Sequence, residues 1–292
     1  MYNNIMIEKC DLCPRMCHAL RTNETGNGFC HLPDKIYISH FGLHNFEEPV
    51  ISGKKGSGTI FFSGCNLGCK YCQNYKISRG VCGKPFSTDE FIELIKKLEY
   101  EMGAENINLV TPTPYSNKII EALKKYHPNI PVIYNTSGYE RPQVIRELMD
   151  YVDIFLTDFK YSDDNLAKKY SGVNNYVDTA KESLKIMLEK PIITNNDMLK
   201  SGVIVRHLIL PGHIENTINT LKILDELNVK TISLMSQFTP TGNDDCDLNR
   251  KITKREYQRV LNAMYPYDFD GYVQDLTSAN KKYIPDFCFI KK

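Results

Sequence analysis

Apolar positions along this chain fall into two alternating patterns. "TIFFS" (59–63) is a short apolar, strand-like run, and "STDEFIELIKKLEYEM" (87–102) has the amphipathic spacing of a helix. That helix opens with Ser87 and Glu90 in capping-box register. Further strands are predicted at 106–111, 130–136, 153–160, 202–210 and 231–238. Helices are predicted at 116–127, 141–151, 163–170, 176–189, 214–227 and 253–265. Six strands alternating with helices predict parallel βαβ units. The alternation alone does not separate an open doubly wound sheet from a full or partial barrel. In each of these folds the loops after the strand C-termini carry the site. Polar residues gather there, in "TPTP" (111–114), "NTSGYE" (135–140), "TDFK" (157–160), "SQFTPTG" (236–242) and a cysteine loop after Ser63.

Composition narrows the classes. At 292 residues the chain suits one large α/β barrel, or a barrel with a small appendage, and can bury its core without disulfides. The net charge is +1, from 36 basic and 35 acidic residues, which leaves no footprint for nucleic acid or an anionic membrane surface. "MYNNIMIEKC" lacks the charged and apolar regions of a signal peptide, and no apolar run approaches a membrane span. A cytoplasmic location is therefore expected. In that reducing compartment, clustered thiols read as metal or catalytic sites. Of the ten cysteines, four lie at Cys10, Cys13, Cys17 and Cys30, and three at Cys65, Cys69 and Cys72. Cys82, Cys246 and Cys288 stand alone and read as packing residues.

The triad sits in "SGCNLGCKYCQN" (63–74), with C-x3-C-x2-C spacing. Three thiolates hold three irons of a four-iron cluster and leave the fourth iron without a protein ligand, whereas ferredoxin-type carriers supply a fourth Cys. Such an open position is what a catalytic metal site requires. Gly64 and Gly68 are expected to let the backbone fold around the cluster, and Tyr71 to shield it. A zinc knuckle, or thiols close by accident, are the bland alternatives. C-x3-C-x-aromatic-C after the first strand of a β/α chain resembles the signature of radical S-adenosylmethionine (SAM) enzymes. The resemblance implies a partial (β/α)6 barrel and a [4Fe–4S] cluster on Cys65, Cys69 and Cys72, with SAM chelating the open iron. It also implies an oxygen-sensitive oxidoreductase, fed by a donor such as flavodoxin or ferredoxin. Reductive cleavage of SAM would give a 5′-deoxyadenosyl radical that abstracts a substrate hydrogen.

Downstream segments resemble the pyruvate formate-lyase activating enzyme branch, which implies a glycyl-radical enzyme as partner. "TDFK" resembles its Asp-x-Lys strand end, assigning Asp158 and Lys160 to SAM. "NTSGY" resembles its turn after the third strand, assigning Asn135, Thr136 and Ser137 to the cofactor. "RHLILPG" resembles its Arg-bearing strand, placing Arg206 near the site. Two departures stand out. The branch's Gly-Gly-Glu is replaced by Thr111-Pro112-Thr113-Pro114, so hydroxyls or carbonyls of Thr111 and Thr113 must serve, and Gln237 stands where a His is usual. Asp158 and Lys160 also fit an ordinary ion pair, and Arg206 a structural cation. His207 should point to the opposite strand face and pack among helices, and His213 is a weak loop candidate.

The N-terminal cysteines read C-x2-C-x3-C-x12-C, through "CDLCPRMC" and "GNGFC". They suit a closed zinc site or a second [4Fe–4S] cluster, and thiol ligands alone do not choose between these. Residues 1–52 are accordingly expected to form a metal-binding lobe and 53–292 the barrel. "CPRMC" resembles the extra N-terminal motif of uncharacterised activating-enzyme-like proteins. Two rival functions remain, radical SAM modification of a peptide or small metabolite and a non-catalytic zinc-binding interaction protein.

Overall fold

The computed structural model describes residues 9–240 and 248–276. Cys246 and Cys288 lie outside them. Two short strands, β1 (Lys9–Cys10) and β2 (Ala19–Leu20), form a small antiparallel ribbon. Then β3 (Ile36–His44), the short helix α1 (Pro49–Ser52) and β4 (Ser57–Phe62) lead to the cysteine loop. The chain continues through α2 (Tyr75–Ser78), β5 (Lys84–Phe86) and α3 (Thr88–Lys96). Regular units follow: β6 (Ile107–Val110), α4 (Ser116–Lys125), β7 (Val132–Thr136), α5 (Pro142–Leu148) and β8 (Ile154–Asp158). Two helices, α6 (Asp164–Ser171) and α7 (Tyr176–Met187), precede the hairpin of β9 (Ile193–Asn195) and β10 (Met198–Leu208). The described chain closes with α8 (Ile214–Glu226), β11 (Thr231–Met235), α9 (Lys254–Met264) and β12 (Asp270–Val273).

The main sheet runs β12-β11-β10-β8-β7-β6-β4-β3-β5. Pairing is parallel from β4 to β12, while β3 pairs antiparallel with β4, and β5 with β3. No pairing joins β5 to β12 among the described residues, so the barrel is partial. All six strands predicted from sequence belong to the parallel set, which gains a seventh in β12. On the N-terminal side of residue 52, β3 pairs with β4 in the main sheet and Ile51 of α1 packs against residues of β7, β8 and β10.

Alternation along the strands divides the core. Tyr134 and Phe155 join the large cluster between sheet and helices, whereas Ile133, Ile154, Leu156 and Ile204 face the barrel interior. There Ile51, carried in by α1 behind Pro49 at its first turn, fills the lower interior. The Ser87–Glu90 capping box opens α3 as its spacing predicts, and Thr253 with Glu256 opens α9 the same way.

Candidate active site

The cysteine loop leaves β4 at Ser63 and returns into α2. Gly64 holds φ +74°, a left-handed conformation that glycine adopts without strain. Leu67 N–H donates to Cys65 Sγ at 3.3 Å, and Cys69 Sγ lies 2.9 Å from Ser171 Oγ at the end of α6. Ser171 in turn meets Tyr161 OH (2.6 Å), which meets Tyr71 OH (2.7 Å). A continuous hydroxyl chain thus ties α6 to the loop, and Tyr71, itself buried, lines the cavity below the loop beside Cys69 and Cys72. Burial pushes the Cys65 and Cys72 thiols up, so iron binding must displace their protons. Three thiols converging on one loop are the soft donor set that an iron–sulfur cluster needs. Among the described residues no three or more His, Cys, Asp or Glu side chains are gathered to hold a single ion. A cubane places its thiolates on separate irons and does not require that closure. The residues fit the cluster.

Below the loop, at the C-terminal ends of the parallel strands, lies a cavity of about 430 Å³. Cys69 and Cys72 line it, with Asn135, Asp158, Lys160, Arg206 and Gln237. Asp158 Oδ2 accepts from Lys160 Nζ at 2.5 Å and Oδ1 from Arg206 Nε at 2.9 Å. Arg206 Nη2 also donates to Asn135 Oδ1 at 2.6 Å. Burial alone would raise the Asp158 carboxyl, but the two cations outweigh it and hold it below the ordinary range. Burial would likewise lower Lys160, and Asp158 more than compensates. A further carboxylate, Glu47, enters from the β3–α1 connection. It pairs with Arg206 Nη1 at 3.5 Å and accepts from Asn108 Nδ2 at 3.2 Å. Burial raises it to about 7, against the pull of Arg206. Glu47 was missed by the sequence reading, which placed it in the lobe, and no motif marks it.

Thr111, Thr113, Thr136 and Ser137 are not among the residues lining this cavity. The hydroxyls of Thr113 (2.5 Å) and Thr136 both donate to Glu140 Oε1, on the helix side of the sheet. These two hydroxyls are thus engaged on the helix side, since Thr136 alternates along β7 with inward-facing Asn135, while the carbonyls that the sequence equally allowed for Thr111 and Thr113 are a separate matter. Thr111 ends β6 with φ +60°, and Ser137 Oγ is buried without a hydrogen-bond partner. His207 packs outward as expected, bonded to Phe159 O (2.6 Å) and Thr217 Oγ1 (3.0 Å), with burial lowering it to about 4. His213 contacts Tyr170 OH at 2.6 Å, away from the cavity.

In the lobe, burial raises Cys13 to about 12 and also raises Cys30, and each feels the charge of Cys10. Cys17 is exposed. Cys82 packs against Phe61, Ile77 and Val110 as expected, and it is disulfide-bonded.

Comparison with known proteins agrees with this geometry. The radical SAM superfamily profile matches residues 59–224, and the chain belongs to that superfamily. An uncharacterised protein of Methanocaldococcus jannaschii is 31% identical over 281 residues, covering 91% of this chain and 77% of the relative. The pyruvate formate-lyase 1-activating enzyme of Escherichia coli K12 is 23% identical over 180 residues, covering 58% and 68%. Among solved structures, Streptococcus suis SuiB bound to its precursor peptide SuiA superposes with a TM-score of 0.52 at 14% identity, covering 74% of this chain. The chain spans about half of that structure, 48% of its length. No described helix is long and apolar enough to cross a membrane.

Proposed function

We propose that this protein binds a [4Fe–4S] cluster through Cys65, Cys69 and Cys72, and that SAM occupies the adjoining cavity. The observation that carries this reading is the thiol loop opening, through Cys69 and Cys72, into the cavity that holds the Asp158–Lys160–Arg206–Asn135 network. Bound there, the cluster would supply one electron to cleave SAM, yielding a radical that takes a hydrogen atom from substrate. The chain's own residues do the positioning. Asp158 is the acceptor for a cationic or hydroxyl group of SAM. Lys160 and Arg206 provide positive charge for its carboxylate, and Asn135 keeps Arg206 in place. Gln237 supplies a neutral amide where related enzymes have a titratable His, so this position carries no proton chemistry. Tyr71, which lines the cavity beside Cys69 and Cys72, is held in place by the hydroxyl chain behind it and limits the water that reaches the thiols from the cavity side.

The substrate hydrogen is proposed to lie on a glycine of a partner enzyme, supported by the similarity to an activating enzyme. A reduced flavodoxin or ferredoxin of the cytoplasm is the proposed electron donor. Anaerobic purification with iron and sulfide analysis, followed by a SAM-cleavage assay with dithionite, tests the core of the reading. Brown protein that releases 5′-deoxyadenosine is expected. Colourless protein carrying zinc would replace the enzyme with a zinc-binding interaction protein.

A further inference from the structure

The outer side of the triad loop is covered by the N-terminal segment. Arg15 Nε donates to Asn66 O at 2.5 Å, and its Nη2 reaches Ser171 O at 3.4 Å. The same guanidinium lies over the Phe29 ring, 3.3 Å from its centroid. Leu32, fully buried, packs on Gly64, where an added Cβ would meet its side chain at 2.6 Å. On Gly68 an added Cβ would meet Arg79 Nη1 at 2.9 Å and Phe29 Cζ at 3.1 Å. The two loop glycines are therefore the places where side chains of the lobe approach the backbone. From the barrel side, Asn66 Nδ2 donates to Tyr139 O at 2.6 Å, and Gly68 N–H to Ser171 O at 3.1 Å. Asn66 is gripped from both sides, and it adjoins Cys65.

We infer that the N-terminal segment braces the triad loop, with Arg15, stacked on Phe29, as a positioning residue that fixes the Asn66 peptide and through it Cys65. The inference rests on the proposed role of Cys65, Cys69 and Cys72. Arg15 lies between Cys13 and Cys17, and Phe29 beside Cys30, so wild type and variants are compared at equal metal content of the lobe. A planar fork that donates to two carbonyls while stacking on an aromatic ring is a task for arginine that lysine does not reproduce.

The test uses the full chain as Arg15→Gln, Arg15→Lys and Phe29→Ala. In metal-free, reduced protein, iodoacetamide labelling of Cys65 is followed by peptide mass mapping. Loss of one charged hydrogen bond should open the loop roughly tenfold more often, and labelling should accelerate by that factor. Removal of the cation by itself would slow the reaction, because the thiolate is the nucleophile. Acceleration therefore reports loosening. In reconstituted protein the electron paramagnetic resonance signal of the reduced cluster should broaden, and less iron should be retained. Arg15→Lys should behave like Arg15→Gln. Labelling at the wild-type rate in both Arg15 variants would overturn the brace. Full rescue by Arg15→Lys would replace positioning by simple charge. Phe29→Ala tests the stack separately, and should accelerate labelling without removing any charge. A wild-type protein that takes up no iron–sulfur cluster would sink the proposed function, yet the labelling result would still decide the brace.

Discussion

At the residue scale the proposed site divides into thiols and charges, and the two groups should fail differently. Replacing Cys65, Cys69 or Cys72 singly with Ala removes one of only three protein ligands. On the proposed reading each variant loses SAM cleavage under dithionite, and cleavage at the wild-type rate in any of them would end the cluster assignment. Asp158 is a different case, because it neutralises two half-buried cations at once. Asp158→Ala should leave the iron–sulfur spectrum in place while SAM affinity falls roughly ten- to a hundredfold, the loss expected for a buried charged hydrogen bond. Lys160→Ala should fall in the same range, and isothermal titration with SAM measures both. Unchanged affinity in the two variants would return the pair to a structural ion pair. Thr113 and Thr136 show where residue-level reading from sequence stops. Their position after the strands was legible, but the buried Glu140 that takes their hydroxyls carries no motif of its own. Glu47 was invisible for a related reason, since its role comes from a long-range pairing with Arg206.

At the element scale, α1 is the part with the clearest independent consequence. It is one turn long, yet it places Ile51, fully buried, among Ile133, Ile154, Leu156, Leu199 and Ile204. Ile51→Ala empties an interior position packed by side chains of β7, β8 and β10. It should cost about 2–5 kcal/mol in chemical denaturation, the range for deleting a buried branched side chain. A loss below about 1 kcal/mol would mean that the interior collapses around the gap. The regular units that α1 closes were legible in the sequence, because βα periodicity is local and strong. The six predicted strands were legible from apolar patterning inside each segment, although their hydrogen bonds run to neighbouring strands, and the Ser87–Glu90 cap is an interaction within one element. The elements that were not foreseen depend on partners elsewhere in the chain. β3 mixes Ser39, His40, Gly42 and His44 with apolar residues, and is stabilised as a strand by lying between β4 and β5. β12, four residues with Asp270 and Gly271, pairs among the described residues only with β11 and has no hydrophobic run to announce it. Cysteine spacing located the thiols, while sheet pairing decided where the barrel begins.

For the whole molecule, buried carboxyls of opposite behaviour shape the dependence of stability on pH. Asp158 is held below its ordinary range, so its contribution is present above the pKa of an unfolded aspartate and is lost only as pH falls through the lowered folded value. Glu140 behaves in reverse. It is fully buried, its Oε2 has no hydrogen-bond partner, and burial raises it to about 7 despite the hydroxyls of Thr113 and Thr136. A raised folded value means that the folded state binds the proton more tightly than the unfolded chain. The resulting stabilisation is complete below the ordinary glutamate pKa of 4.5 and is lost as pH rises through about 7. Glu47 adds to the same trend. Metal-free protein should therefore be most stable near mildly acidic pH and weaken between about pH 5 and pH 8. Glu140 accounts for roughly 3.5 kcal/mol of that decline at most, from its rise from 4.5 to about 7 at about 1.4 kcal/mol per pH unit. Glu140→Gln keeps the side-chain shape and an acceptor for Thr113 and Thr136 but has nothing to ionise. Its urea-denaturation midpoint should vary less with pH than that of the wild type, and the two curves should converge toward acid. A slope as steep as the wild type's in Glu140→Gln would show that the ends of β6 and β7 can ionise this carboxyl without cost. The pH dependence would then have to come from Glu47 beneath Arg206.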